Sequence, residues 1–196
     1  MTPDAVVGPV PEGRDAADYD RERRRVLWSL PVGLYVLGTR AGGRRNLMTV
    51  SWVTQVAQEP KLVGVGVETG AYSHELVLEG GVFALSLLPR AERALVRKFV
   101  KPVPADDIVV DADGRGTMRG VAVHAATTGA PVLEVAVGFL DCALRHHLPL
   151  GSHSFFVGEV VDAAMVGTAG GAPADGEQHR GDGVLRMEDT RMSYGG

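Results

Sequence analysis

The chain of 196 residues carries a formal net charge of −4, with 45% hydrophobic and 22% charged residues, which is the balance of a single soluble globular domain with a sizeable core. That charge argues against a general nucleic-acid binder, which needs a basic face for phosphates, and the single cysteine, Cys142, excludes an intrachain disulfide, a thiolate zinc cluster and a CxxC redox motif. No apolar run approaches the roughly 20 residues of a membrane-spanning helix, and the N-terminus lacks the basic-then-apolar plan of a signal peptide, so a cytoplasmic location is expected.

Residues 1–17, rich in Pro, Gly and Asp without apolar period, read as a mobile arm, and 18–196 as one domain. Asp18 to Leu30 mixes helix formers with an apolar end and reads as a short helix stopped by Pro31. Three strands follow at 33–40, 46–57 and 61–68, the first two as a hairpin across Gly42-Gly43. Ser73 to Leu78 reads as a helix with Ser73 at the N-cap and Glu75 in the first turn, before a strand at 82–88.

Apolar residues at helical spacing predict an amphipathic helix from Arg90 to Phe99. A short strand is expected at 121–126, then a long one over 132–148 with a bend at Gly138, paired with 152–166 across the turn Leu148-Pro149-Leu150-Gly151. Residues 167–183 read as a low-complexity loop, and 184–187 as an edge strand. Many strands with two or three short helices predict a mainly β (α+β) fold, a β-barrel with helical appendages.

The stretch Arg44-Arg45-Asn46-Leu47-Met48-Thr49-Val50-Ser51-Trp52 places an amide, two hydroxyls and an indole N–H in an otherwise apolar strand. Buried polar groups cost free energy unless the protein or a ligand meets them. Alternation puts Leu47, Thr49, Ser51 and Val53 on one face and Asn46, Met48, Val50 and Trp52 on the other. By itself this pattern fits a half-exposed strand whose hydroxyls face water. Arg44 and Arg45 read as a solvated hairpin end.

His146 and His147 point to opposite faces of a strand, and the six histidines show no HxxxH or HxH spacing, so no metal site is expected. His124, His146, His147 and His179 read as surface or hydrogen-bonded histidines. GxSxG, GxGxxG and GxxxxGK[ST] are absent, and Cys142 in its apolar run reads as an inert core thiol. Ser73 and His74 put a hydroxyl and an imidazole at a helix N-terminus, which favours a phosphate, although a plain cap explains Ser73 equally well. Gly151-Ser152-His153 fits a turn as readily as a site.

In order along the chain, LPVGLYVLGTR (30–40), NLMTVSWVTQV (46–56), AYSHELV (71–77), VFALSLL, GFLDC (138–142), HHLPLGSHSFFVGEVVDA (146–163) and the terminal Ser193-Tyr194-Gly195-Gly196 resemble the flavin reductase-like family of FMN-binding split β-barrels. The resemblance implies a Greek-key-like split barrel and a homodimer with FMN, or FAD, near the subunit interface. It also implies NADH or NADPH as hydride donor and reduced flavin passed to a separate monooxygenase.

Residue by residue, the resemblance lays Asn46, Leu47, Met48, Thr49, Ser51 and Trp52 along the flavin, with hydroxyls and backbone N–H groups on its polar edge and Met48 or Trp52 on its apolar face. It puts Ser73 and His74 at the phosphate, and His153 at the nicotinamide as the catalytic residue. Two departures stand out: Ser152 replaces the usual Asp, and Glu68-Thr69-Gly70-Ala71 stands where many relatives have a basic residue. The phosphate charge then falls to the helix end, His74, or a cation of the next helix such as Arg97, Lys98 or Lys101. The Ser152 departure motivates an alternative reading, an FMN-binding electron-transfer or flavin-holding protein without efficient NAD(P)H turnover. A third is a dimeric barrel whose pocket has lost flavin.

Overall fold

The computed structural model describes residues 8–165 and 183–190. Residues 1–7 of the expected arm, His179, the terminal Ser193-Tyr194-Gly195-Gly196 and all but Gly183 of the expected 167–183 loop lie outside the described residues.

Helix α1 (Ala16–Trp28) starts earlier than Asp18 because Asp15 caps it, its carboxylate accepting the Asp18 N–H at 3.0 Å. Arg23 and Arg24 pair with Asp20 along the helix. Thirteen strands and helices follow: β1 (Tyr35–Ala41), β2 (Arg44–Val50), β3 (Val53–Ala57), β4 (Leu62–Glu68), α2 (Tyr72–Gly80), β5 (Val82–Leu87), α3 (Leu95–Lys98), β6 (Ile108–Val110), β7 (Gly116–Met118), β8 (Val121–Ala125), β9 (Pro131–Leu133), β10 (Gly138–Leu150) and β11 (His153–Met165). Among the described residues no helix is long and apolar enough to cross a membrane.

A seven-stranded antiparallel sheet runs β2-β1-β5-β10-β11-β4-β3, and a four-stranded one runs β6-β7-β8-β9. The expected strand 46–57 is therefore two strands, at opposite ends of the large sheet, joined only by Ser51 and Trp52. So short a connector cannot span a flat sheet of seven strands, whose neighbours sit about 4.8 Å apart. The sheet must curl until its edges meet, which makes it a barrel. The Val53 N–H bonds the Ser51 carbonyl at 3.0 Å, a tight turn that redirects the chain without glycine or proline.

The barrel is split because the β10–β11 hairpin is covered on different sides at its two halves. β5 pairs with β10 over 138–143, and β4 pairs with β11 over 153–159. Leu37, Val50, Val65, Phe83, Leu85 and Phe156 fill the barrel. A second core, with Val36, Leu47, Leu88, Phe99, Met118 and Leu133, joins the outer face of β1 and β2 to the small sheet and the 95–103 segment. α2 packs on β1 and β2. Its Gly80 lies so close to the Arg40 carbonyl that a Cβ there would come within 1.8 Å.

Other expectations shift. The run 132–148 divides into β9 and β10, since Ala136 N–H turns back to the Leu133 carbonyl at 3.2 Å; β9 and the first residues of β10 are both largely buried, so hydrophobicity carries no mark of the break. The hairpin turn is Gly151-Ser152, with Gly151 at φ +73°, rather than 148–151. The amphipathic helix 90–99 reduces to a 3₁₀ turn at Arg90–Glu92 and the four residues of α3. Residues 184–187 make isolated bridges, Pro89 to Val184 and Gly33 to Arg186, instead of a strand.

Candidate functional site

The polar groups of β2 and the connector after it divide into those the protein meets and one it does not. Asn46, 1% exposed, donates from Nδ2 to Ser73 Oγ at 2.9 Å and accepts the Val103 N–H on Oδ1 at 2.9 Å. It braces β2 against α2 on one side and the 99–103 connector on the other. Thr49 donates its hydroxyl to the Val96 carbonyl at 2.8 Å and its N–H to the Phe99 carbonyl at 3.0 Å, so α3 covers the outer edge of β2. Leu47 is buried in the outer core and Met48 packs against the barrel core. Ser51 is 4% exposed, and its Oγ is buried without any hydrogen-bond partner.

Ser73 is not the N-cap. Ala71 holds that position without a side-chain cap, and α2 begins at Tyr72. The Ser73 hydroxyl turns inward, with no exposed surface, onto Asn46 and Thr39. Any phosphate at this end of α2 would meet backbone N–H groups and His74. Arg44, expected at a solvated hairpin end, instead pairs with Glu75 at 2.6 Å and with Glu79, tying β2 to α2.

His74 belongs to a cluster that sequence reading did not assemble. Its Nε2 lies 2.8 Å from Ser154 Oγ, and the Nε2 of His147 lies 2.8 Å from the same oxygen. The His147 ring stacks on Phe156 at 4.9 Å, with His74 edge-on to Phe156 at 5.1 Å. Burial, and then the charge of His147, hold His74 below the ordinary histidine range. The available signal was alternation in Ser152-His153-Ser154, which sends His153 and Ser154 to opposite faces of β11.

On the other face of β11, His153 meets Trp52: their ring centroids lie 4.6 Å apart at 49°. Ser152 Oγ sits 3.0 Å from His153 Nδ1. The floor beside them is the Gly64-Val65-Gly66 run of β4. A Cβ on Gly66 would come within 3.1 Å of the Trp52 ring, and one on Gly64 within 2.0 Å of the Phe155 ring. Glycine thus leaves room for the Trp52 and Phe155 rings over β4, with His153 beside Trp52 at the junction that carries Ser51.

Lys98 is exposed at the end of α3. Its ammonium donates to the Arg119 carbonyl at 3.3 Å, while the Arg119 guanidinium donates to the carbonyls of Lys98 and Pro102 at 2.8 Å each. Arg119 sits at φ +51° in the β7–β8 turn and pins the segment that carries Lys98; nothing in the spacing of the sequence pointed to it. Since Thr49 seats α3 on β2, Lys98 is tied to the strand that leads into Ser51.

Two cavities, of about 680 Å³ beside Trp28, Leu30 and Met187 and about 440 Å³ at the barrel mouth beside Val53, Leu140 and Val160, share Tyr35 and Leu87 but include none of the expected site residues. Trp52 is 37% exposed, so the Ser51–Trp52–His153 region reaches the surface there. Among the described residues no group of three or more His, Cys, Asp or Glu is placed to hold a metal ion. Cys142 is a core thiol, pushed up to about 12 by burial and then by the neighbouring Asp141 charge.

Residues 27–180 match the family model of the flavin reductase like domain. The chain belongs to this family. A relative, the NADPH-flavin oxidoreductase of Streptomyces viridifaciens, is 33% identical over 165 residues, covering 83% of this chain and 80% of that one. The NADH-dependent FMN reductase AsuE2 of Streptomyces nodosus subsp. asukaensis is 28% identical, covering 84% and 89%. Among solved structures, the Streptomyces globisporus C-1027 NADH:FAD oxidoreductase SgcE6 superposes with a TM-score of 0.64 at 29% identity, covering 80% of this chain and 89% of that one. Diflavin flavoproteins match only in part: the chain spans 21% of the length of a putative one from Nostoc. The split-barrel reading of the sequence and the observed closure of the sheet agree with this membership.

Proposed function

We propose that this protein is an NAD(P)H-dependent flavin reductase that binds FMN at the Ser51–Trp52 junction and reduces it with NADH or NADPH. The observation that carries the reading is the Ser51 hydroxyl, buried and unpartnered at the junction where the Trp52 ring lies over Gly66 and beside His153. A flavin is an apolar tricycle with one hydrogen-bonding edge and a phosphate tail, so it needs one unmet polar group, flat aromatic walls and an anion-binding end. When bound, it accepts a hydride from the nicotinamide and hands the electrons on.

The residues take distinct parts. Ser51, with backbone N–H groups of its strand, orients the polar edge, and Trp52 lies along the ring system. Leu47 and Met48 act through their backbone, because their side chains belong to the two cores. Asn46 and Ser73 hold β2 and α2 at fixed spacing; Thr49 seats α3 and with it Lys98, the cation that balances the phosphate together with His74 and the first turn of α2. His153 orients the nicotinamide against the flavin. FAD, which carries the same ring system, would use the same residues.

The Trp52 ring is partly exposed on a single chain, which supports a homodimer in which a second copy covers it. Reduced flavin would pass from there to a separate flavin-dependent monooxygenase in the cytoplasm. The second reading, a flavin-holding electron-transfer protein without efficient turnover, rests on Ser152, which offers His153 a neutral hydroxyl where an Asp would offer a charge. The absorption spectrum of the purified protein with FMN, before and after NADH and NADPH, separates the two. Rapid bleaching and steady nicotinamide oxidation are expected. A yellow protein that is slow with both nicotinamides supports the second reading, and a colourless one inactive toward any common flavin defeats both.

A further inference from the structure

The cluster on the inner face of β11 sets a constraint that the proposed reading does not use. A serine hydroxyl donates one hydrogen bond and accepts two. With both imidazole Nε2 atoms 2.8 Å from Ser154 Oγ, the neutral arrangement that satisfies all three has one ring donating its Nε2 hydrogen and the other accepting the hydroxyl hydrogen. The two rings are then opposite tautomers. A further proton on the accepting ring turns both rings into donors and strands the hydroxyl hydrogen of a residue that is 1% exposed.

We propose that Ser154 is a positioning residue that shares one Nε2 proton between His74 and His147, so that the charge of His74, and with it the uptake of a phosphate-bearing flavin, depends on His147. The proposal rests on the reading that the first turn of α2 faces the flavin phosphate. His74 lies in that turn, its N–H bonded to the Ala71 carbonyl at 2.9 Å. On the elements around it, the charged and titratable groups are Tyr35 and Arg40 on β1, Arg44 and Arg45 on β2, Glu68 on β4, Asp141, Cys142, Arg145, His146 and His147 on β10, His153, Glu159 and Asp162 on β11, and Tyr72 with the Arg44 partners Glu75 and Glu79 on α2 itself. Arg44 is already committed to two carboxylates, whereas among the described histidines His147 alone shares a hydrogen-bonding atom with His74. An incoming phosphate favours a proton on His74, which burial and the neighbouring His147 oppose.

The test is FMN and riboflavin affinity of the full chain between about pH 5 and pH 8, in the unaltered protein and in variants. FMN affinity is expected to rise as the cluster gains a proton, with a midpoint below the ordinary histidine value of about 6.5, while riboflavin affinity stays flat. Because the phosphate itself titrates near 6, the comparison between proteins carries the argument. His147→Gln should move the midpoint up by about half a unit or more. In a Ser154→Ala background the same substitution should move it less than half as far, and Ser154→Thr, which keeps the hydroxyl, should restore the full shift.

Equal shifts in all three backgrounds, or no shift in any, would overturn the proposal. If the unaltered protein binds neither flavin at any pH, the functional reading fails instead, and ring-nitrogen NMR decides the cluster: opposite tautomers with coupled titration support it, and two independent titrations from the same tautomer refute it.

Discussion

The rings of Trp52 and His153 lie 4.6 Å apart, joining the point where the barrel closes to the first residue of β11, the second strand of its longest hairpin. Trp52 sits in the connector between the two edge strands of the large sheet, and its carbonyl accepts the Gly66 N–H at 2.8 Å. His153 opens β11 opposite Glu68 of β4. β4 is therefore the shared support of both rings, and any change in its glycines is felt at both.

His153→Ala should slow flavin reduction by about tenfold or more, the usual scale for losing a positioned imidazole. FMN affinity should stay within about twofold, because the assigned role lies at the nicotinamide. Stopped-flow reduction at several NADH concentrations, with a separate FMN titration, checks this. Loss of FMN binding itself would place His153 against the flavin.

The two glycines of β4 should respond differently to alanine. At Gly66 the nearest atoms belong to the Trp52 ring at 3.1 Å, so the ring has to give by a few tenths of an ångström. Weakened FMN binding with little change in unfolding midpoint is expected. At Gly64 the Phe155 ring stands 2.0 Å from the new Cβ and has to leave its place, which costs about 1–3 kcal/mol as overpacking does. Urea unfolding of both variants, with FMN titration of Gly66→Ala, distinguishes a floor from a core.

Asp141 gives a pH dependence that is independent of the site. Its carboxylate is fully buried and accepts the Thr128 N–H at 2.7 Å and hydroxyl at 2.6 Å, yet burial still raises it above the ordinary aspartate range. A group raised in the folded state favours folding most below its unfolded value, and that contribution is lost as pH rises through the folded value. The stability of the unaltered protein relative to Asp141→Asn should therefore fall as pH climbs from about 4 toward neutrality. Urea midpoints of the two proteins across that range test the sign, and a difference that grows with pH would contradict it.

Much of the large sheet was legible because β1, β4 and β5 are uninterrupted runs bounded by glycine or proline signals. The break at Ser51–Trp52 was not, since extended chain lies on both sides and the turn is made by a backbone bond rather than a turn residue. β6 and β7, three residues each, are too short for periodicity to register. The Trp52–His153 contact required the register of β4 against β11, which no local pattern encodes. The His147–Ser154 contact is diagonal, since Ser154 pairs with Pro149, and it shows only once the register of β10 against β11 is known. Residue types at the candidate site were readable, but their partners were not: the side chains of Asn46 and Thr49 are satisfied within the fold, and the Ser51 hydroxyl in the connector after β2 is left.

That contrast between Asn46 and Ser51 is itself testable. Asn46→Ala removes both bonds of the brace and leaves the Val103 N–H unpaired in a buried position, so a loss of about 1–3 kcal/mol in stability is expected. Ser51→Ala removes a buried hydroxyl that has no partner, which should leave stability unchanged or raise it slightly. If the flavin edge is what meets that hydroxyl, the same variant should bind FMN and riboflavin more weakly by about fivefold to tenfold, the scale of one net hydrogen bond. Urea unfolding of the flavin-free protein, paired with fluorescence titration of both flavins, separates the effects. A Ser51→Ala protein that loses stability and keeps its flavin affinity would mean that the hydroxyl serves the fold.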